Sequence, residues 1–131
     1  MSAALAAIVF VPGLALGSFL NVVAARVPLQ RSIVHPGSAC VSCATPLAWY
    51  DNIPLFSYVF LHGRCRKCGA VIPWKYPVVE LVTALLIAAC FAAFGLTVEA
   101  TVAAFFSATL VAISVTEIAT SVAQKNAATA A

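Results

Sequence analysis

Charged side chains are scarce in this sequence. Only 8% of its 131 residues are Asp, Glu, Lys or Arg, whereas 63% are hydrophobic and the mean hydropathy is +1.05. A soluble domain of this size carries about a quarter charged residues to cover its surface. The scarcity therefore excludes a water-soluble globule, and the apolar content excludes a disordered tail or a secreted disulfide-rich miniprotein. Lipid must cover much of the chain.

Charge is almost absent from three long segments, and this predicts three membrane-spanning helices. A helix needs about 20 mainly apolar residues to cross the hydrocarbon core of a bilayer. We assign the spans to residues 1–25, 77–96 and 100–120, with a loop at 26–76. Residues 121–131 are small and polar, and we expect this tail to fray. The predicted fold class is an all-α membrane protein with one large loop between its first two spans.

No basic residue precedes the first apolar run, which disfavours a cleavable signal peptide. Six of the seven Lys and Arg residues lie between Arg26 and Lys75. Because short basic loops stay on the inner side, we expect a multi-pass inner-membrane protein whose loop faces the cytoplasm. Several of these basic residues lie near aromatics that suit the headgroup level. An anionic membrane surface explains this pattern, and we predict no nucleic-acid partner.

Four of the five cysteines form two Cys-x-x-Cys pairs, Cys40/Cys43 and Cys65/Cys68, with twenty-one residues between the pairs. This doubled spacing is typical of tetrahedral zinc held by four thiolates, a closed and structural site. Gly69 follows the second pair and can adopt the left-handed conformation that such turns require. Disulfides fit the reducing cytoplasm poorly, and an iron centre is the minor alternative. Zinc is the predicted cofactor.

Three further residues in the spans are polar. Glu80 lies one turn inside the second span, where an ionisable group either reaches the membrane interface or has a partner. We predict a structural ion pair with Lys75 or a loop arginine, and catalysis is the alternative. Ser18 and Asn21 lie near the inner end of the first span. Hydrogen bonding between helices is their expected role, and contact with a substrate is the alternative.

Several strings together resemble the N-terminal half of type IV prepilin peptidases. In chain order they cover residues 17–23, 26–28, the first cysteine pair, residues 49–55 (Trp-Tyr-Asp-Asn-Ile-Pro-Leu), 63–69 and 76–81 (Tyr-Pro-Val-Val-Glu-Leu). The resemblance implies an inner-membrane aspartic endopeptidase that removes the basic leader of prepilins or pseudopilins in type IV pilus or type II secretion systems. It also implies a cytoplasmic zinc loop and N-methylation of the product with S-adenosylmethionine.

The sequence departs from this family at the peptidase carboxylates. The family uses two aspartates, the second in a Gly-x-Gly-Asp motif, but this chain contains only Asp51 and no such motif. Glu117 occupies the position that resembles the family's first aspartate, so it is the candidate catalytic residue. Its side chain is one methylene longer, and an error of about 1 Å in a catalytic group can cost ~100-fold in rate. Two carboxylates are needed to activate water in such a site.

We therefore predict that this chain cleaves nothing alone. Either a separate chain that carries the aspartyl half completes it, or it is a degenerate remnant. A second interpretation is a non-enzymatic membrane adaptor of a type IV pilus or type II secretion system. A methyltransferase fragment is the third, and it is the least favoured because the sequence shows no legible cofactor pocket. A neighbouring reading frame with the Gly-x-Gly-Asp motif would favour the first interpretation.

Overall fold

The computed structural model describes residues 3–130, so the first two positions of the predicted first span lie outside the described residues. Three of its helices are long and apolar enough to cross a membrane, which confirms the predicted all-α architecture. The helices are α1 (Ala3–Arg26), the short α2 (Phe56–Phe60), α3 (Lys75–Phe94) and α4 (Val98–Ala130). Single 3₁₀ turns at Val27–Leu29 and Trp49–Asp51 lie in the loop between α1 and α3.

A tight turn joins α3 to α4, as the shortness of the apolar gap predicts. Gly95 ends α3 with a φ of 68°, and its N–H donates to the carbonyl of Phe91 at 2.9 Å. The hydroxyl of Thr97 accepts the N–H of Ala100 at 3.2 Å. A side-chain oxygen at this position satisfies an amide that the first helical turn leaves unpaired. The two helices therefore run antiparallel as neighbours.

The C-terminal tail differs from its prediction, because α4 continues through residue 130 where we expected fraying. Ala accounts for four of the eight residues from 123 to 130, and Ala has the highest helix propensity. The hydroxyl of Thr129 also donates to the carbonyl of Lys125 at 2.9 Å. Residues 121–130 are all exposed, so this part of the helix rests on propensity and local hydrogen bonds rather than on packing.

Helices α1 and α3 are in backbone contact through two glycines of α1. A methyl group placed on Gly13 would lie 2.7 Å from the Cα atom of Ala84, and one on Gly17 would lie 2.6 Å from that of Glu80. Both distances are shorter than any real carbon contact. Small residues four apart allow membrane helices to approach in this way. The buried side chains of Leu14 and Thr83 lie in the same interface.

Polar contacts between the helices confirm part of the sequence analysis. The side-chain amide of Asn21 donates to the carbonyl of Tyr76 in α3 at 3.1 Å. The sulfur of Cys90 and the hydroxyl of Ser107 lie 3.7 Å apart between α3 and α4. Because Asn21 and Tyr76 are near the ends of their helices, the loop leaves α1 and returns to α3 at adjacent points.

Candidate metal centre and adjoining cavity

The four predicted metal ligands lie on two turns with the same backbone hydrogen bonds. In the first turn, Ala39 and Pro46 form an isolated bridge, and the N–H of Cys40 donates to Thr45 O at 3.1 Å. In the second turn, Arg64 and Val71 form the bridge, and the N–H of Cys65 donates to Ala70 O at 2.9 Å. We call residues 39–46 and 64–71 the first and second knuckle.

The knuckles bring all four sulfurs into one cluster, in which every pair lies within 4.8 Å. The Sγ atoms of Cys40 and Cys68 are 3.7 Å apart, and those of Cys43 and Cys65 are 4.0 Å apart. In a tetrahedral zinc site with Zn–S bonds of 2.3 Å, two sulfurs are about 3.8 Å apart. A disulfide requires about 2.05 Å. All four thiols are free, so the geometry fits a metal with four thiolate ligands and does not fit disulfides.

Hydrogen bonds within the knuckles lower the pKa of two of the four thiols, Cys43 and Cys65, and so favour the ionised form that a metal requires. The hydroxyl and the amide of Thr45 lower the pKa of Cys43 to about 6. The amides of Cys68 and Lys67 lower the pKa of Cys65. Cys68 shifts the other way: although the Ala70 amide opposes the shift, burial and the neighbouring thiols raise its pKa to about 11. A cation replaces the shared protons of such a cluster, so metal binding should release protons.

Ala44 and Gly69 follow the second cysteine of each knuckle and have left-handed backbones, with φ values of 57° and 70°. The left-handed backbone of Gly69 confirms the prediction made for it. The same conformation at Ala44 was not predicted. Since this conformation costs a residue with a Cβ atom about 1–2 kcal/mol, we expect Gly69→Ala to destabilise the metal-loaded loop by about 1 kcal/mol. Ala44→Gly should stabilise it by a few tenths of a kcal/mol to ~1 kcal/mol, because the relief is partly offset by the added freedom of the unfolded chain.

Chelator competition on the purified protein measures both effects. The two substitutions serve as each other's control, since they make opposite changes at equivalent positions. Equal metal retention in both variants would contradict the equivalence of the knuckles.

The only aspartate of the chain is engaged in an ion pair with the second knuckle. Arg66 donates to both carboxylate oxygens of Asp51, with the shortest N–O distance 2.7 Å, and its guanidinium lies 5.4 Å from the centre of the Tyr50 ring. The hydrogen bonds from Arg66 hold the pKa of Asp51 below its usual value. Asp51 therefore links the turn at Trp49–Asp51 to the metal cluster.

A cavity of about 590 Å³ lies between the knuckles and the loop-side ends of α1 and α3. Its volume falls within the range of small-molecule sites in proteins. Its polar lining includes Ser18, Asn21, Tyr50, Ser57 and Glu80. The sequence showed no legible pocket because these residues come from four separate segments. Cys40 and Cys65 lie at its edge, so the metal cluster and the cavity share a wall.

Glu80 makes contacts different from those we predicted. Its carboxylate accepts the N–H of Leu55 at 2.6 Å, and the residue is only 8% exposed. Lys75 instead places its ammonium group 5.3 Å from the centre of the Tyr76 ring. The predicted ion pair is therefore wrong. The backbone of Leu55, with a φ of 60°, brings an amide to the carboxylate, and sequence patterns do not reveal that contact.

Arg26 was not singled out as a site residue, although it organises one wall of the cavity. Its guanidinium donates to the carbonyls of Ser32, Pro36 and Gly37 at 3.1, 2.7 and 3.2 Å. These bonds fold residues 32–37 back towards the end of α1. The string Arg-Val-Pro at 26–28, noted in the resemblance, was the available signal.

Glu117, the candidate catalytic residue, is exposed on α4 and does not line the cavity. The structure therefore does not bring it together with the carboxylates of Asp51 and Glu80, which do line it. Within residues 3–130, the chain thus shows four clustered thiols that could hold a metal ion and an adjoining cavity, but no pair of free carboxylates. The chain therefore falls in a class of membrane proteins that have three helices of spanning length and four clustered thiols in the loop between the first two.

The family model described as the bacterial peptidase A24 N-terminal domain matches residues 11–94, which include most of α1, both knuckles and all of α3. The chain belongs to this family. It is 57% identical over 94 residues to a Myxococcus xanthus protein named prepilin leader peptidase/N-methyltransferase, a match that covers 72% of this chain and 28% of the relative. A Bacillus subtilis protein of the same name is 41% identical over 111 residues, covering 85% of this chain and 45% of the relative.

A Burkholderia pseudomallei protein, again with this name, is 33% identical over 139 residues, covering 87% of this chain and 45% of the relative. The chain therefore spans less than half the length of these relatives. Among solved structures, none matches the chain significantly.

Proposed function

We propose that this chain forms the N-terminal, zinc-stabilised part of a prepilin leader peptidase/N-methyltransferase in the inner membrane. The observation that carries the proposal is the match over residues 11–94, which contains the four clustered thiols and most of the cavity. The carboxylate of the Gly-x-Gly-Asp motif comes from polypeptide outside these 131 residues, supplied by a separate chain, and Glu117 is the candidate for the other catalytic carboxylate.

In this proposal, the metal holds the knuckles against the ends of α1 and α3. Zinc, when bound, supplies four strong bonds and no open coordination position, so its contribution is structural. The chain's own residues shape the cavity: Arg26 fixes residues 32–37, and Glu80 fixes the backbone at Leu55.

The cavity is our candidate binding site for part of a prepilin or pseudopilin substrate or for the methyl donor. Its volume of about 590 Å³ can hold part of a leader segment or the methyl donor S-adenosylmethionine. The basic residues of the loop support a cytoplasmic location, where leaders of type IV pilus and type II secretion substrates are accessible.

Cleavage of a prepilin in membranes tests this proposal. We expect no cleavage with this chain alone and none with a chain that carries only the Gly-x-Gly-Asp half. Both chains together should release the leader. Efficient cleavage by this chain alone would contradict the assignment of the Gly-x-Gly-Asp carboxylate to another polypeptide. Failure of the combined chains to cleave would favour the membrane adaptor instead.

A further inference from the structure

The short helix α2 and the turn before it leave an apolar surface exposed. Phe56, Val59 and Phe60 are 61%, 65% and 78% exposed. Positions i, i+3 and i+4 lie on one face of a helix, so these three side chains form a continuous patch. Ser57, on another face of the helix, is buried. Trp49, in the preceding turn, is 78% exposed.

The contact with Glu80 fixes the depth of this patch relative to the membrane. Helix α3 has 20 residues and is therefore about 30 Å long, which is the thickness of the hydrocarbon core. Nearly all of α3 is then needed to cross the core, so the core begins close to Lys75. Glu80 lies five residues further, about 7 Å along the helix axis. Because helical side chains tilt towards the N-terminus of their helix, the Glu80 carboxylate, which accepts the N–H of Leu55, lies between that level and Lys75, close to the boundary of the core.

The backbone of this segment is hydrogen-bonded in the way that a low-polarity environment requires. Leu55 donates to Glu80, and the N–H of Ile53 donates to the hydroxyl of Ser57 at 2.8 Å. That hydroxyl in turn donates to the carbonyl of Tyr50 at 2.8 Å. Irregular backbone at membrane depth persists only where internal partners satisfy its polar groups.

We propose that residues 49–60, the interfacial segment, insert into the bilayer on the side of the cysteine loop. Lipid at the boundary between headgroups and acyl chains covers Phe56, Val59 and Phe60. Glu80 is the positioning residue that holds the segment at this depth through the amide of Leu55. Its carboxylate is retained inside the span for that purpose, which accounts for the absence of the expected ion pair.

Lipid is what covers the patch, because the patch lies at the same depth as the loop-side end of α3, and α3 itself faces lipid. Aromatic side chains such as Trp49 are favoured at this level of the membrane. The inference stands apart from the proposed function, since it depends only on the spanning helices and the Leu55–Glu80 contact.

Fluorescence quenching by brominated lipids tests the insertion. In a Trp49→Phe, Trp74→Phe background, Phe60→Trp provides a single probe on the patch. The metal-loaded protein is reconstituted into phosphatidylethanolamine/phosphatidylglycerol vesicles, with or without bromine near the headgroup end of the acyl chains. We expect bromine to remove most of the fluorescence, and aqueous acrylamide to have little effect.

Val41→Trp in the same background is the matched control, because Val41 is 80% exposed on the first knuckle. We expect acrylamide, but not brominated lipid, to quench this probe. Lipid quenching at residue 60 no stronger than at residue 41 would overturn the proposal. Shielding of residue 60 from both quenchers would also overturn it, since a protein partner would then cover the patch. The Trp74→Phe variant, with native Trp49 as the probe, repeats the test without altering α2.

Glu80→Ala and Glu80→Gln separate the anchoring role from general stability. The amide oxygen of Gln can still accept the N–H of Leu55, so Glu80→Gln should keep the lipid quenching at residue 60. Glu80→Ala should lose most of it while the metal content is unchanged. Unchanged lipid quenching in Glu80→Ala would overturn the role of Glu80 as the anchor.

Discussion

Replacing Cys65 and Cys68 together by serine should release the metal and unfold the loop between α1 and α3. The loop has little apolar core of its own, because Ser57 and Gly63 are the residues between 27 and 74 that are buried. Structural zinc contributes about 10–16 kcal/mol in small domains, as much as the whole stability of a typical domain, about 5–15 kcal/mol. Loss of two ligands should therefore remove the main stabilising contribution to the loop.

The measurements are the metal content per purified chain and the rate of proteolysis within the loop. Cys90→Ser is the matched control, since Cys90 lies in α3 against Ser107 and outside the cluster. We expect this variant to keep its metal and its resistance to protease. Unchanged metal content in the double variant, or an equal loss in Cys90→Ser, would contradict the four-thiolate site.

Glu117→Asp should increase prepilin cleavage when the aspartyl half is supplied on a second chain. The substitution restores the shorter carboxylate of the family, and correcting a misplacement of about 1 Å can gain up to ~100-fold in rate. Glu117→Gln should abolish cleavage, because an amide cannot share the proton that an aspartic peptidase needs to activate water. The initial rate of leader removal in membranes that contain both chains measures the effect.

Glu99→Gln is the control for this series. Glu99 is also an exposed glutamate of α4, but it lies in the first turn, at the opposite end of the helix. We expect its cleavage rate to equal that of the unmodified chain. Equal rates for Glu117→Asp, Glu117→Gln and the unmodified chain would show that Glu117 takes no part in catalysis.

The spans and the metal ligands could be predicted because their signals are local in the sequence. A mainly apolar run of about 20 residues predicts a spanning helix by its length and composition alone. A Cys-x-x-Cys spacing determines a turn that points two sulfurs to one side. Neither inference depends on which distant residues come into contact.

The cavity and the contact of Glu80 could not be predicted in the same way. The partner of Glu80 is a backbone amide 25 positions away, and a backbone amide has no sequence signature. Charge suggested Lys75, but Lys75 lies against Tyr76 instead. The left-handed backbone of Ala44 could have been predicted, because aligning the two cysteine pairs places Ala44 opposite Gly69. The tail was mispredicted because the polarity of residues 121–131 was given more weight than their Ala content.

X-ray absorption at the zinc edge of the purified, membrane-reconstituted chain tests the central claim most directly. Our account predicts one zinc per chain with a single shell of four sulfurs at about 2.3 Å. A shell dominated by nitrogen or oxygen, or a chain that carries no metal, would contradict it.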